Sequence, residues 1–134
     1  MFGLPGAFTP TCSGEQLPKY EERYDEFISN GVDDVYCISV NDAFVMNAWA
    51  RDLGIEKVKM IPDGNGQFTQ EMGMLCQKRD KCFGERSWRY AMIVNDGVIE
   101  QMFVEPGKTD DTPEDPYGES SPENVLKYLQ GLKG

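Results

Sequence analysis

The stretch GLPGAFTPTCSGEQL, Gly3 to Leu17, places Cys12 three residues after Thr9 and behind Pro10, with a Pro5-Gly6 turn before it and a helical pattern after it. Only a thiolate is a useful sulfur nucleophile, and a free cysteine of pKa ~8.5 is mostly protonated at neutral pH, so a reactive one needs a device that favours the anion. Position supplies it here: a helix starting around Cys12 sets the sulfur over unpaired backbone N–H groups at the positive end of the helix dipole. In a turn entering that helix the Thr9 hydroxyl can face the sulfur, or an oxygen approaching it, and Pro10 fixes the backbone between the two. The chemistry implied is attack on a small electrophile; the plain alternative is that Cys12 is one more buried apolar residue.

The absences narrow this further. The chain has no histidine, which excludes Cys-His, Ser-His and His-ligated zinc chemistry within it. The other cysteines, Cys37, Cys76 and Cys82, form no C-x-x-C pair, so a zinc site and a disulfide scaffold are not expected and the thiols read as reduced. DGNGQF has the look of a calcium loop, but Phe68 stands where glycine is needed and Met74 where the closing glutamate belongs, so it reads as a turn. No metal and no organic cofactor is implied.

These residues need elements to hold them. Met1 to Leu4 is short and apolar and stops at Pro5-Gly6, as a buried strand entering a turn does. From Cys12 the apolar positions Leu17, Tyr20, Tyr24, Phe27 and Ile28 recur at helical spacing up to Asn30-Gly31, with a bend expected near Pro18. VYCISV, Val35 to Val40, is an uninterrupted strand pattern, and Asn41-Asp42 caps a helix that ends at Gly54. VKMI predicts a short strand and FTQEMGML one or two helical turns, while LCQKRDKCFGER reads as a polar loop. YAMIV and VIEQMFVE flank Asn95-Asp96-Gly97, a strong hairpin signal. PGKTDDTPEDPYGESS reads as an acidic surface loop, and Ser121-Pro122-Glu123 opens a closing helix with Val125, Leu126, Tyr128, Leu129 and Leu132 on its apolar face. Alternating strands and helices followed by an antiparallel pair and a last helix predict an α/β, thioredoxin-like fold, a mixed central sheet with helices on both faces. Trp49 and Trp88 are assigned to packing.

The 134 residues can bury one core, so one domain over 1–134 is expected. A formal charge of -10 argues against a nucleic-acid partner, which needs a basic stripe. No apolar run is long enough to span a bilayer and no signal-peptide layout opens the chain. The expected setting is therefore cytoplasmic, without membrane attachment.

Pro5, Thr9 and Cys12 reproduce the P-x-x-x-T-x-x-C signature of the peroxiredoxins. FGLPGAFTPTCS resembles the form found in the peroxiredoxin-5 subfamily, including bacterial proteins that fuse this domain to a glutaredoxin. The likeness continues through CISVNDAFVMNAWARD, IPDGNGQFTQEMGM, FGERSWRYAMIVNDGVIEQMFVEP and DPYGESSPENVLKYL, practically the whole chain. The resemblance implies a thiol peroxidase acting on hydrogen peroxide and organic hydroperoxides. Cys12 would be the peroxidatic cysteine, Thr9 would bond the thiolate and the peroxide, Pro5 would shield the sulfur, and Arg89 would stabilise the thiolate and polarise the O–O bond. Arg86 is left as either structural or supporting.

The same resemblance implies a thiol reductant: glutathione, a glutaredoxin or thioredoxin. Cys37 matches a resolving thiol of some plant relatives but sits in the most apolar strand, so it is either that thiol or an inert one. Cys76 and Cys82 fall in the stretch read as a polar loop and count as possible resolving thiols. A one-Cys-like cycle is expected, since DPYGESS, where other subfamily members carry the disulfide partner, has no cysteine. Homodimers or larger homo-oligomers are expected, with Met72, Met74 and Phe83 offered as the self-association face. Relatives carry a further segment ahead of FGLPGAF, so this chain is expected to be an N-terminally shortened, less stable domain. The competing class is a non-catalytic thioredoxin-like binding module or inactive fragment, which would need none of Pro5, Thr9, Cys12 and Arg89 together.

Overall fold

The computed structural model describes residues 1–133. A five-stranded sheet runs in the order β3-β2-β1-β6-β7, formed by β1 (Phe2–Leu4), β2 (Tyr36–Ser39), β3 (Lys59–Pro62), β6 (Tyr90–Asn95) and β7 (Val98–Val104). β1 and β3 lie parallel to β2, whereas β6 is antiparallel to both β1 and β7, so the sheet is mixed as expected. The α/β, thioredoxin-like reading of the sequence holds.

Side-chain alternation divides the sheet into two faces. Phe2, Leu4, Cys37, Ala91 and Phe103 point to one face and are covered by Leu17 and Tyr20 of α1 (Leu17–Glu22), Phe27 of α2 (Tyr24–Ser29), Met46 and Trp49 of α3 (Ala43–Leu53), and Val125, Leu126 and Leu129 of α5 (Pro122–Lys133). Phe2 stacks on Tyr20 at 3.9 Å, Tyr20 stacks on Phe27, and the Tyr20 hydroxyl donates to Ser120 O at 2.6 Å, joining the first helix to the entry of α5. Ile38, Tyr90 and Met92 point to the other face. A short helix, α4 (Gln67–Glu71), and an antiparallel hairpin of β4 (Leu75–Lys78) and β5 (Gly84–Ser87) cover them, with Met74, Cys76 and Trp88 buried between. Tyr90 crosses Gly3 so closely that a Cβ there would lie 2.3 Å from its ring.

That hairpin corrects the sequence reading. LCQKRDKCFGER is two paired strands around a turn in which Cys82 has φ 61° and Gly84 φ 73°. Lys78 is buried, its ammonium 5.6 Å from the centre of the Trp88 ring, so an inward lysine gives β4 a polar look it does not have in space. Met74 is likewise buried, which removes it from any association face.

Other elements follow their local signals. Asp42 accepts from Val45 N and Gly54 closes α3 at φ 68°. Asp96 and Gly97 both take positive φ in the β6–β7 hairpin, and Ser121 Oγ accepts from Asn124 N at the start of α5. The DGNGQF segment is a turn whose Asp63 carboxylate is occupied by Phe68 N, Thr69 N and the Thr69 hydroxyl.

Candidate active site

β1 delivers the chain to Pro5 at the middle of the sheet, and the turn that follows is pinned from β2. Ala7 N donates to Asn41 Oδ1 at 3.0 Å, the same oxygen that accepts from Ser39 Oγ. Phe8 takes φ 63°, a left-handed conformation costly for a bulky residue, and stands exposed. Thr9 Oγ1 donates to Gly6 O at 2.7 Å, closing the turn, so its proton goes to the backbone and its lone pairs stay available. Thr9 O then accepts from Ser13 N at 2.9 Å, the first helical bond, which makes Pro10 the first helical residue and sets Cys12 in the first turn. The helix thus begins slightly earlier than the apolar pattern suggested.

Cys12 to Gln16 are wound as one wide π turn, in which Leu17 N reaches Cys12 O. The cause lies just downstream. Pro18 has no N–H to give and its ring would strike the carbonyl four residues back, so the helix widens ahead of it. This turn carries both Cys12 and Gln16 into the interior with no exposed surface. Ser13 Oγ accepts from Trp49 Nε1 at 2.9 Å, tying the turn to α3.

Arg89 meets the sulfur from the opposite side, held in the link between β5 and β6. It is 2% exposed, so its charge acts with little screening from water. Nη1 lies 3.4 Å from Cys12 Sγ and 2.6 Å from Gln16 Oε1; Nη2 lies 2.5 Å from Asp115 Oδ1; Nε donates to Pro116 O at 3.2 Å. The Tyr117 ring centre is 5.8 Å from the guanidinium carbon. Burial pushes Arg89 down, but the Cys12 sulfur and Asp115 outweigh it and hold the guanidinium above its ordinary value. Asp115 is pushed up by burial, yet Thr11 and Arg89 bring its carboxyl below the usual range.

A second guanidinium stands behind the turn. Arg86 Nη1 donates to Pro5 O at 3.1 Å and Nε to Phe83 O at 3.1 Å. Burial lowers its value, partly offset by attraction to Cys12. It fills the space above Gly6, where a Cβ would sit 2.0 Å from Nη1.

Pro5, Thr9, Cys12 and Arg89, separated by up to 84 positions in the chain, therefore converge on one turn. The other thiols do not join them. Cys37 shares the buried cluster with Cys12, but burial pushes its thiol well up and the nearby Cys12 adds to this. Cys76 is not an exposed loop thiol: it is buried in β4 in the other cluster, its value raised by burial against the pull of Lys78. Cys82 alone is exposed, at the hairpin turn.

Known proteins resemble this chain along most of its length. The redoxin family profile matches residues 1–119. A peroxiredoxin of Sinorhizobium fredii (strain NBRC 101917 / NGR234) is 60% identical over 130 residues, covering 97% of this chain and 69% of that protein. The chain belongs to the peroxiredoxins. A hybrid peroxiredoxin of Haemophilus influenzae is 54% identical over 96% of this chain, which spans 52% of that longer protein. The solved structure of reduced Prx3 of Vibrio vulnificus in complex with hydrogen peroxide superposes with a TM-score of 0.89 at 38% identity, over 98% of this chain and 77% of that one.

A peroxiredoxin is a thiol-dependent peroxidase, and this chain is an enzyme of that kind. Residues without a functional assignment from the sequence also stand against Arg89 or the turn before Cys12: Gln16, Asn41, Asp115, Pro116 and Tyr117. Gln16 had a usable signal, lying four residues after Cys12 on the same helical face. No helix among the described residues is long and apolar enough to cross a membrane.

Proposed function

We propose that Cys12 is the peroxidatic cysteine of this peroxidase, with Arg89, Thr9 and Pro5 completing the site. The observation that carries this reading is the buried guanidinium of Arg89, 3.4 Å from the Cys12 sulfur. In the reaction the Cys12 thiolate gives an electron pair to the terminal, hydrogen-bearing oxygen of the peroxide. An S–O bond forms as the O–O bond breaks, the sulfur becomes sulfenic acid, and the other oxygen leaves as hydroxide or alkoxide that takes a proton from water. Arg89 stays charged at any working pH and aims fixed donors at the oxygens where charge develops. Thr9 offers its lone pairs to the peroxide hydrogen, and buried Pro5 keeps water from the sulfur.

The sulfenic acid is reduced by an external thiol: glutathione, a glutaredoxin or thioredoxin. The likeness to a hybrid peroxiredoxin supports a glutaredoxin-linked reductant. Burial of Cys37, with its thiol held protonated, and of Cys76 supports a one-Cys-like cycle. Because Cys12 has no exposed surface, a reductant reaches it only after the first helical turn opens. The two core clusters share one sheet, which supports reading residues 1–134 as a single domain. The chain works in the cytoplasm as a homodimer or larger homo-oligomer. Exposed Phe8 and Phe44, near the Asn41 link, and half-buried Met72 and Phe83 supply the apolar face for that pairing; a mass independent of concentration in ultracentrifugation would count against it.

The test of the reading is intact mass spectrometry with a sulfenic-acid trap on reduced wild type and Cys12→Ser after one equivalent of hydrogen peroxide. A trapped adduct in the wild type that is missing in the variant is expected. An intramolecular disulfide as the obligatory product would replace the one-Cys cycle with a two-Cys one.

A further inference from the structure

We infer that Asp115 is a positioning residue for Arg89: with the Pro116 carbonyl and the Tyr117 ring it fixes the guanidinium in the orientation that serves both Cys12 and an incoming peroxide oxygen. This rests on the reading of Cys12 and Arg89 given above. An arginine side chain has many rotamers and offers five N–H donors in a rigid fork, so its usefulness depends on which donors are held and where. Here three consecutive residues hold one flank of the fork. Nε is taken by Pro116 O and Nη2 by Asp115, while the Tyr117 ring lies beside the guanidinium; Nη1 is thereby left to face Cys12 and Gln16.

The acid sits on the flank away from the sulfur and its side chain is 42% exposed, whereas Arg89 is 2% exposed. Water therefore screens much of the Asp115 charge, and the geometric hold is the larger part of what it does. The segment is itself clamped. The buried Glu105 carboxylate accepts from Gly118 N, Glu119 N, Ser120 N and the Ser120 hydroxyl, and Glu105 N donates to Arg89 O at 3.2 Å. One residue thus ties the backbone of Arg89 to the loop that grips its side chain. The stretch read from sequence as a surface loop is in this part a wall of the site.

The test compares two reactions of the same sulfur in the full chain. Oxidation by hydrogen peroxide needs a positioned donor at the oxygen, whereas alkylation by neutral iodoacetamide needs the thiolate and access to it but no such donor. Asp115→Ala lets Arg89 wander but also removes a competing anion, two effects on the sulfur that oppose each other. The expected result is a fall of roughly 10- to 100-fold in the peroxide rate, with alkylation changed by less than about 3-fold. Asp115→Asn, which keeps an acceptor and the side-chain shape, should lose less and serves if the alanine variant does not fold; Asp115→Glu should recover part of the rate. A parallel fall in both reactions, or no fall in the peroxide rate, overturns the inference. Mapping wild-type oxidation to Cys12 comes first: if it fails there, the site reading itself is wrong, and if it holds while Asp115→Ala stays fast, only the role of Asp115 falls.

Discussion

Cys12 and Cys37 occupy the same core and neither has any exposed surface, yet they sit in opposite chemical settings. Cys37 lies in β2 between Phe2 of β1 and Met60 of β3, with burial holding its thiol protonated. Cys12 lies at the start of a helix, against the Arg89 guanidinium and within reach of the charge of Arg86. Burial alone makes a thiol inert. We propose that a buried thiol beside a dry, fixed cation serves instead as the nucleophile, its partner charge not weakened by water. What differs is the element: a strand offers its side chains only to the faces of the sheet, whereas a helix start reached by a tight turn leaves room for groups from distant parts of the chain.

The largest expected effect separates the two thiols directly. Cys12→Ser should reduce peroxide turnover to background, while Cys37→Ala leaves the rate within about twofold and costs on the order of 1 kcal/mol of stability from the small cavity; stopped-flow peroxide consumption and urea unfolding check both. Next comes the cation. Arg89→Met, similar in length but without donors, should slow oxidation on the order of 10²- to 10³-fold, the usual loss for removing a donor aimed at developing oxygen charge. A rate within a few-fold of wild type would mean that burial at a helix start is enough by itself.

Smaller effects sharpen the picture. Gly6→Ala pushes the flexible end of Arg86 off Pro5 O and should cost about 1 to 2 kcal/mol in unfolding experiments, with a moderate fall in peroxide rate. The smallest concerns acid. Asp115 has a folded-state value below its ordinary one, so its stabilising contribution is present above about pH 4, the unfolded carboxylate range, and is lost as pH falls through the lower folded value. Because the side chain is part exposed, the contribution is below about 1 kcal/mol. Asp115→Asn should flatten the decline of the urea midpoint between about pH 5 and pH 3, and an unchanged slope would show that the Arg89 pair adds nothing to folding.

What was legible in the sequence was local. Asp42 and Gly54 at the ends of α3, Asn95-Asp96-Gly97 in the hairpin and Ser121-Pro122 at α5 act through near neighbours, so their types and order were enough. Pro5, Thr9 and Cys12 share one turn and were legible for the same reason, whereas Arg89 depended on the family resemblance because nothing near it in the chain marks it. Two things were hidden. The β4–β5 hairpin carries an inward lysine and a cysteine in a left-handed turn position, so its alternation reads as a polar loop until Trp88 is seen lying against Lys78. Asp115 is one acid among Asp110, Asp111 and Glu114, and only the fold distinguishes the one that meets a guanidinium.

We propose that the turn and Arg89, not exposure, decide which of the four cysteines reacts. The direct measurement is a single sub-equivalent pulse of hydrogen peroxide on the reduced protein, followed by isotope-coded labelling and peptide-level quantification of all four thiols. Oxidation is expected to concentrate on the fully buried Cys12, at least about 100-fold above Cys37, Cys76 and the exposed Cys82, a margin set by oxygen-charge stabilisation of this kind. Oxidation of Cys82 as fast as Cys12 would contradict it.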